Sequence, residues 1–201
     1  MMKVTIDAGH GGEDSGATGS LNGYFESHAV LDIALRLRAL LERHVEVQMT
    51  REDDTFVSLP ERCRMANEWG ADIFVSLHLN SATSDASGFE VFTAGYTKSK
   101  ELAKKVASRH TAAFPEQRDR GIKTAGFYVL VNTNMPAILT EGCFLSNDAE
   151  NKWVSLEETR QAMGEVIARG IFDYFGIEPS KTELTLEERV DRIEDHLNLN
   201  P

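Results

Sequence analysis

The feature that most constrains this 201-residue chain is a regular alternation of short apolar runs with longer segments whose apolar residues recur every three or four positions. Runs suited to buried strands lie at 4–6, 45–49, 73–77, 89–92, 128–131 and 137–139. Between them, 25–41 carries Val30, Ile33, Ala34, Leu37 and Leu41 on one stripe, the pattern of a helix lying on a sheet. Segment 60–69 follows Ser58, an N-cap with Glu61 three residues later, and 98–114 and 156–175 read as two more helices. Pro115 cannot continue the third helix, and Gly176 is placed to cap the fourth. Strands alternating with helices predict an α/β fold, a single domain with a central mixed, mostly parallel sheet flanked by helices.

The pattern changes after Gly176. The expected division is a catalytic-size domain over 1–176 and, over 177–201, a linker and a short amphipathic C-terminal helix. In the latter, Leu186, Val190, Ile193 and Leu197 repeat at heptad-like spacing. Two heptads are marginal as an isolated helix, so this segment should dock on its own domain or self-associate with another copy. From Ile177 onward seven carboxylates face three basic side chains, which disfavours electrostatic attachment to an anionic surface. The whole chain has a net charge of −11, which argues against nucleic acid or membrane as partners. No stretch approaches the roughly 20 apolar residues of a membrane span. Met1-Met2-Lys3 runs straight into the first strand without a signal-peptide pattern, so the chain either acts without such a leader or has lost one. Cys63 and Cys143 lack metal-type spacing and read as buried small hydrophobes.

Three of the strand-like runs end on residues that bind metals or move protons. His10 follows the first, within Asp7-Ala8-Gly9-His10-Gly11-Gly12, where glycines leave room beside the imidazole. The same loop would serve as an ordinary turn, but it lacks Gly-x-Gly-x-x-Gly and Gly-Lys-Ser/Thr, so phosphate binding is poorly supported. Glu26 opens the first long helix, a position where a carboxylate also suits the helix dipole. His28 is a rival ligand, yet two residues apart on a helix they face different ways. His78 alternates with leucines in Ser76-Leu77-His78-Leu79-Asn80, and Asn80, on the same side, is a candidate contact for a substrate amide. Glu141 ends an apolar run that would desolvate its carboxyl and raise its pKa toward neutrality, as a general base needs; the alternative is a buried ion pair with Arg51 or Arg62. In an open α/β sheet ligands gather at the carboxyl ends of strands, so two histidines and a glutamate arriving there make a credible zinc site beside a second, proton-carrying glutamate. That combination points to metal-assisted hydrolysis.

In order along the chain, these stretches resemble the zinc-dependent N-acetylmuramoyl-L-alanine amidases of bacterial peptidoglycan. The resemblance runs from Ile6-Asp7-Ala8-Gly9-His10-Gly11-Gly12 through Glu26, Thr50-Arg51, Leu59, Arg62 and Ala66-Asn67-Glu68-Trp69-Gly70-Ala71-Asp72. It continues through Ser76-Leu77-His78-Leu79-Asn80, Gly88-Phe89-Glu90-Val91 and 135–147, and so covers about residues 2–176. It implies that His10, Glu26 and His78 hold one catalytic Zn2+ and that Glu141 is the catalytic glutamate. Cys143 and Val30 depart from the residues more common in that family, which bears on substrate preference rather than chemistry. The implied reaction is hydrolysis of the amide joining the muramic acid lactyl group to L-alanine, with peptidoglycan as partner. The alternatives are an inactive amidase-like domain that binds peptidoglycan or a partner protein, and a zinc peptidase acting within the stem peptide. The implied place of action is the bacterial cell wall, reached from a host cytoplasm, as by a phage endolysin, or by secretion with the leader absent from this sequence.

Overall fold

The computed structural model describes residues 1–21 and 24–178. Its elements run β1 (Lys3–Ala8), α1 (Glu26–Leu41), β2 (Glu46–Met49), α2 (Leu59–Trp69), β3 (Ile73–Asn80) and β4 (Phe89–Thr93). They continue with α3 (Thr97–Ala113), β5 (Asp119–Thr124), α4 (Tyr128–Val131), β6 (Ala137–Phe144), α5 (Asp148–Ser155) and α6 (Glu157–Phe175). One sheet of order β2-β1-β3-β6-β4-β5 holds the molecule together. All neighbours are parallel except β4 and β6, which run antiparallel. The expected single α/β domain with a mixed, mostly parallel sheet is therefore the observed fold.

The central strands β1, β3 and β6 are buried almost throughout, as expected for parallel strands covered on both faces. One face packs α1, α3 and α6 in a core that includes Ile33, Leu37, Val106, Val166 and Ile171. A smaller cluster on the other face joins Cys63 and Ala66 of α2 and Val129 and Leu130 of α4 to Phe74 and Leu139. Both cysteines are free and buried. Ser58 caps α2 by accepting a hydrogen bond from the Glu61 amide, and Gly176 ends α6 in the left-handed conformation at φ 69°.

Three elements differ from the sequence pattern. The run at 128–131 forms one helical turn rather than a strand. It buries Val129 and Leu130 while leaving Tyr128 and Val131 exposed, so a four-residue apolar run was compatible with either period. Strand β5 has no apolar run to announce it; as the outer strand beyond β4 it carries Asp119, Arg120 and Lys123. Helix α5 is short and is initiated by Asn147, whose side chain accepts from the amides of Ala149 and Glu150. The heptad-like segment over 186–197 lies outside the described residues. Among those described, no helix is long and apolar enough to cross a membrane.

Candidate metal centre and active-site cleft

Parallel pairing brings the carboxyl ends of β1, β3 and β6 to one edge of the sheet. Ala8 pairs with Leu77, and His78 pairs with Glu141, so the loop bearing His10 and the strands bearing His78 and Glu141 meet there. Helix α1 starts over this edge and delivers Glu26 from its first turn. The three donor atoms converge closely. His78 Nδ1 lies 2.9 Å from Glu26 Oε1 and 3.1 Å from His10 Nε2, and His10 Nε2 lies 3.1 Å from Glu26 Oε1. A tetrahedral zinc with bonds of 2.0–2.1 Å places its ligands about 3.3 Å apart. Two imidazoles and a carboxylate at this spacing are a donor set that fits such an ion, and among the described residues these three form the metal-capable group.

Each donor is aimed by a neighbour. Asp14 Oδ2 lies 2.9 Å from His10 Nδ1, a contact that favours a proton on that nitrogen and leaves Nε2 facing the cluster. Glu26 Oε1 accepts from the Leu79 amide at 3.0 Å and Oε2 from the Ala17 amide at 2.9 Å. Gly9 lies against the face of the His78 ring: a Cβ there would sit 2.3 Å from Cε1. His10 itself adopts φ 60°, unusual for a residue with a side chain.

Two buried arginines hold that conformation. Arg51 donates to the carbonyls of Ala8, Gly9 and Ser27, and Arg62 donates to those of Ala8 and His10 and to the Asp7 carboxylate at 2.7 Å. Neither is the partner of Glu141, the role the sequence left open for them. Their guanidinium donors replace water for a loop whose carbonyls would otherwise be unpaired. Burial opposes ionisation of Asp7, but Arg62, Ser76 and Thr50 together hold its pKa below the ordinary value.

Glu141 sits beside this cluster with its Oε2 buried and without a hydrogen-bond partner in the protein. Burial pushes its pKa up to about 7; the His78 imidazole opposes the rise, and the Glu26 and Glu90 carboxylates add to it. Burial also raises Glu26, but the two imidazoles outweigh it and hold that carboxyl well below the usual range. For His10 burial lowers the pKa, while Glu26 and Asp14 carry it up to about 9 in the metal-free protein.

A cleft of about 710 Å³ opens over the cluster, lined among others by Asp14, Phe56, Leu59, Phe127, Tyr128 and Glu141. Asn80 reaches it too, after a register shift between His78 and Asn80. The Asn80 amide is held by its surroundings: Nδ2 donates to Glu90 at 2.9 Å and Oδ1 accepts from Ser81 N at 2.8 Å. His28 stays out of the cluster and faces Asp54 at 3.7 Å from the surface. Asp14 and Glu90 were not singled out as site residues from sequence; for Asp14, the available signal was a carboxylate four residues past a histidine in a glycine-rich loop.

Comparison with known proteins identifies the family to which this fold belongs. The family model described as N-acetylmuramoyl-L-alanine amidase matches residues 4–173. The chain is 36% identical over 188 residues to the N-acetylmuramoyl-L-alanine amidase CwlM of Bacillus licheniformis, covering 92% of this chain and 73% of that protein. It is 37% identical over 182 residues to the endolysin of Bacillus phage SPP1, covering 87% of this chain and 66% of that protein. The solved catalytic domain of CwlV, an N-acetylmuramoyl-L-alanine amidase from Bacillus (Paenibacillus) polymyxa var. colistinus, superposes with a TM-score of 0.85 at 36% identity. That likeness covers 89% of this chain and all of the CwlV domain. The chain thus belongs to the N-acetylmuramoyl-L-alanine amidase family, and it is an amide hydrolase of that family.

Proposed function

We propose that the chain hydrolyses the amide between the muramic acid lactyl group and L-alanine in bacterial peptidoglycan, with His10, Glu26 and His78 holding one catalytic zinc and Glu141 moving the proton. The observation that carries this reading is the convergence of three donor atoms within about 3 Å, with Glu141 paired in register beside His78. Bound in such a site, zinc supplies a Lewis acid that acidifies water and polarises the scissile carbonyl.

The protein's own groups do the rest. Glu141 has an unpartnered oxygen and a pKa near 7, so it can take a proton from the attacking water and then pass it to the departing alanine nitrogen. The products are a lactyl carboxylate and a free amino-terminal L-alanine. Asn80 has one Nδ2 hydrogen pledged to Glu90 and a second to offer a substrate carbonyl at the mouth of the cleft. The domain carrying this chemistry is proposed as residues 1–176, with 177–201 as linker and C-terminal helix. The proposed place of action is the cell wall, by the route of an endolysin or a secreted enzyme, and the C-terminal helix is the proposed seam for self-association.

The test is to incubate the protein with insoluble peptidoglycan, with chelator and with zinc restored, and to identify new amino termini. Zinc-dependent appearance of amino-terminal L-alanine is expected. Bound zinc with no new termini would overturn the reading in favour of a binding-only domain, and new termini between other residues would make the chain a peptidase.

A further inference from the structure

We infer that Lys123 and Arg120, brought to one face of the sheet by a bulge in β5, bind the carboxylates of the stem peptide and so fix which way the substrate lies in the cleft. The inference rests on the function proposed above and adds the orientation of that substrate.

Residues three apart on a regular strand point to opposite faces. Here they do not. The pairing of β4 with β5 shifts between Phe89 and Val91, whose partners are Asp119 and Ile122, so one extra residue enters β5. Gly121 takes up the bulge at φ 81°. As a result Arg120 and Lys123 both reach the same atom, Oε2 of Glu90, Arg120 Nε at 2.8 Å. Bulges commonly re-aim side chains beside active sites. One cation would suffice to neutralise the buried Glu90 carboxylate, so the converging pair leaves a positive charge in excess over the sheet face.

Glu90 links this pair to the reaction centre. It lies opposite Glu141 in the antiparallel ladder, and its other oxygen holds the Asn80 amide. Glu90 is buried, whereas the Lys123 side chain is 40% exposed. The Lys123 ammonium has three hydrogens and one carboxylate partner, so it keeps donors for a ligand. Its neighbour along the face, Phe92, meets Phe127 of the cleft wall with ring centroids 5.0 Å apart and planes tilted by 60°, which joins the two surfaces.

Charge sets the direction. On the His10 side of the cleft the exposed Asp14 lines the wall, and the exposed Asp54 accepts from the Gly12 amide beside the His10 loop. An anionic peptide is repelled there, and an uncharged sugar is not. Lys123 lies two strand spacings across from Glu141 and two residues along, about 12 Å, and its ammonium reaches back to Glu90, one spacing away. An extended peptide covers the backbone distance in about three to four residues, at about 3.3 Å each, and the ammonium's reach back shortens it. The cations therefore meet carboxylates on the second or third residue beyond the scissile amide.

The experiment uses one peptidoglycan preparation, half of it with stem carboxylates free and half with them amidated by carbodiimide and ammonium. Release of amino-terminal L-alanine is measured for the full chain and for Lys123→Gln. The wild type is expected to cleave the free-carboxylate material about fivefold faster, the scale of a partly exposed ion pair. Lys123→Gln should bring the two rates within twofold by slowing only the former. Equal wild-type rates on both materials, or an equal slowing of both by Lys123→Gln, would overturn the inference. Cleavage of neither material would overturn the underlying hydrolase reading instead.

Discussion

Asp14 Oδ2 lies 2.9 Å from Nδ1 of His10, four residues back along a glycine-rich turn, and it is this contact that points the other ring nitrogen at Glu26 and His78. Carboxylates in this position orient the ring and raise its basicity toward a metal, typically at a cost of 10–100-fold in affinity when removed. Asp14→Ala is therefore expected to weaken zinc binding by about that factor while leaving the fold intact, because Asp14 is exposed. Competition against a chromogenic chelator measures it. Unchanged affinity would mean the loop alone orients His10.

Glu141 makes two predictions with one substitution. Glu141→Gln keeps the shape and loses the proposed proton carrier, so zinc binding should persist while turnover falls by about 10²- to 10⁴-fold. The second effect is on stability without metal. A carboxyl whose pKa rises from 4.5 to about 7 on folding keeps a proton that the unfolded chain releases. Stability of the metal-free protein therefore falls as pH rises through that window and levels off above it. Gln has no proton to lose. In chelator the variant should melt with the wild type near pH 4 and a few degrees above it at pH 8. A melting difference independent of pH would show that Glu141 ionises freely.

Asp7 has the opposite sign. Burial would raise its pKa, but Arg62 above all holds the folded value below the ordinary aspartate value of 3.8. Its contribution is thus fully present above pH 3.8 and lost as pH falls through the lower folded value. Urea denaturation should show Asp7→Asn well below the wild type at pH 7, with the gap narrowing in acid. Arg62→Ala at pH 7 should cost about 3–5 kcal/mol, since it strands a buried carboxylate and frees the Ala8 and His10 carbonyls. A loss under 1 kcal/mol would show that water replaces the guanidinium there.

These sites differ in how visible they are in the sequence. His10, His78 and Glu141 each end an apolar run, so the strand pattern that fixes the sheet also places them at its carboxyl edge. Glu26 is legible by type and position, but its pairing with the imidazoles depends on how α1 crosses the sheet, which periodicity does not encode. Arg51 and Arg62 looked like partners for a buried carboxylate because a buried cation usually seeks an anion. Instead most of their donors go to main-chain carbonyls of a loop in an uncommon conformation, and nothing in composition signals that demand. Strand β5 was invisible for a related reason: an outer strand in the pattern Asp119-Arg120-Gly121-Ile122-Lys123-Thr124 buries too little to show a period of two. The one-turn helix α4 shows the converse, a strand-like run too short to carry a period at all.

Gly9 gives the most local of the predictions, because it separates shape from chemistry. It carries no functional group, and among the described residues its Cα packs against the His78 ring so closely that a methyl would sit 2.3–2.8 Å from three ring atoms. The neighbour is not a mobile chain end: His78 is anchored in β3 and its Nδ1 is engaged with Glu26. Gly9→Ala must therefore push the imidazole off the position where it meets His10 and Glu26. Since the loop carbonyls are pinned by Arg51 and Arg62, the backbone has little room to yield instead. The expected outcome is a folded protein with zinc affinity at least tenfold weaker and activity lost in proportion, partly restored by excess zinc. Wild-type affinity in Gly9→Ala would mean the loop moves as a unit, and the arginine clamp would then be looser than its hydrogen bonds imply.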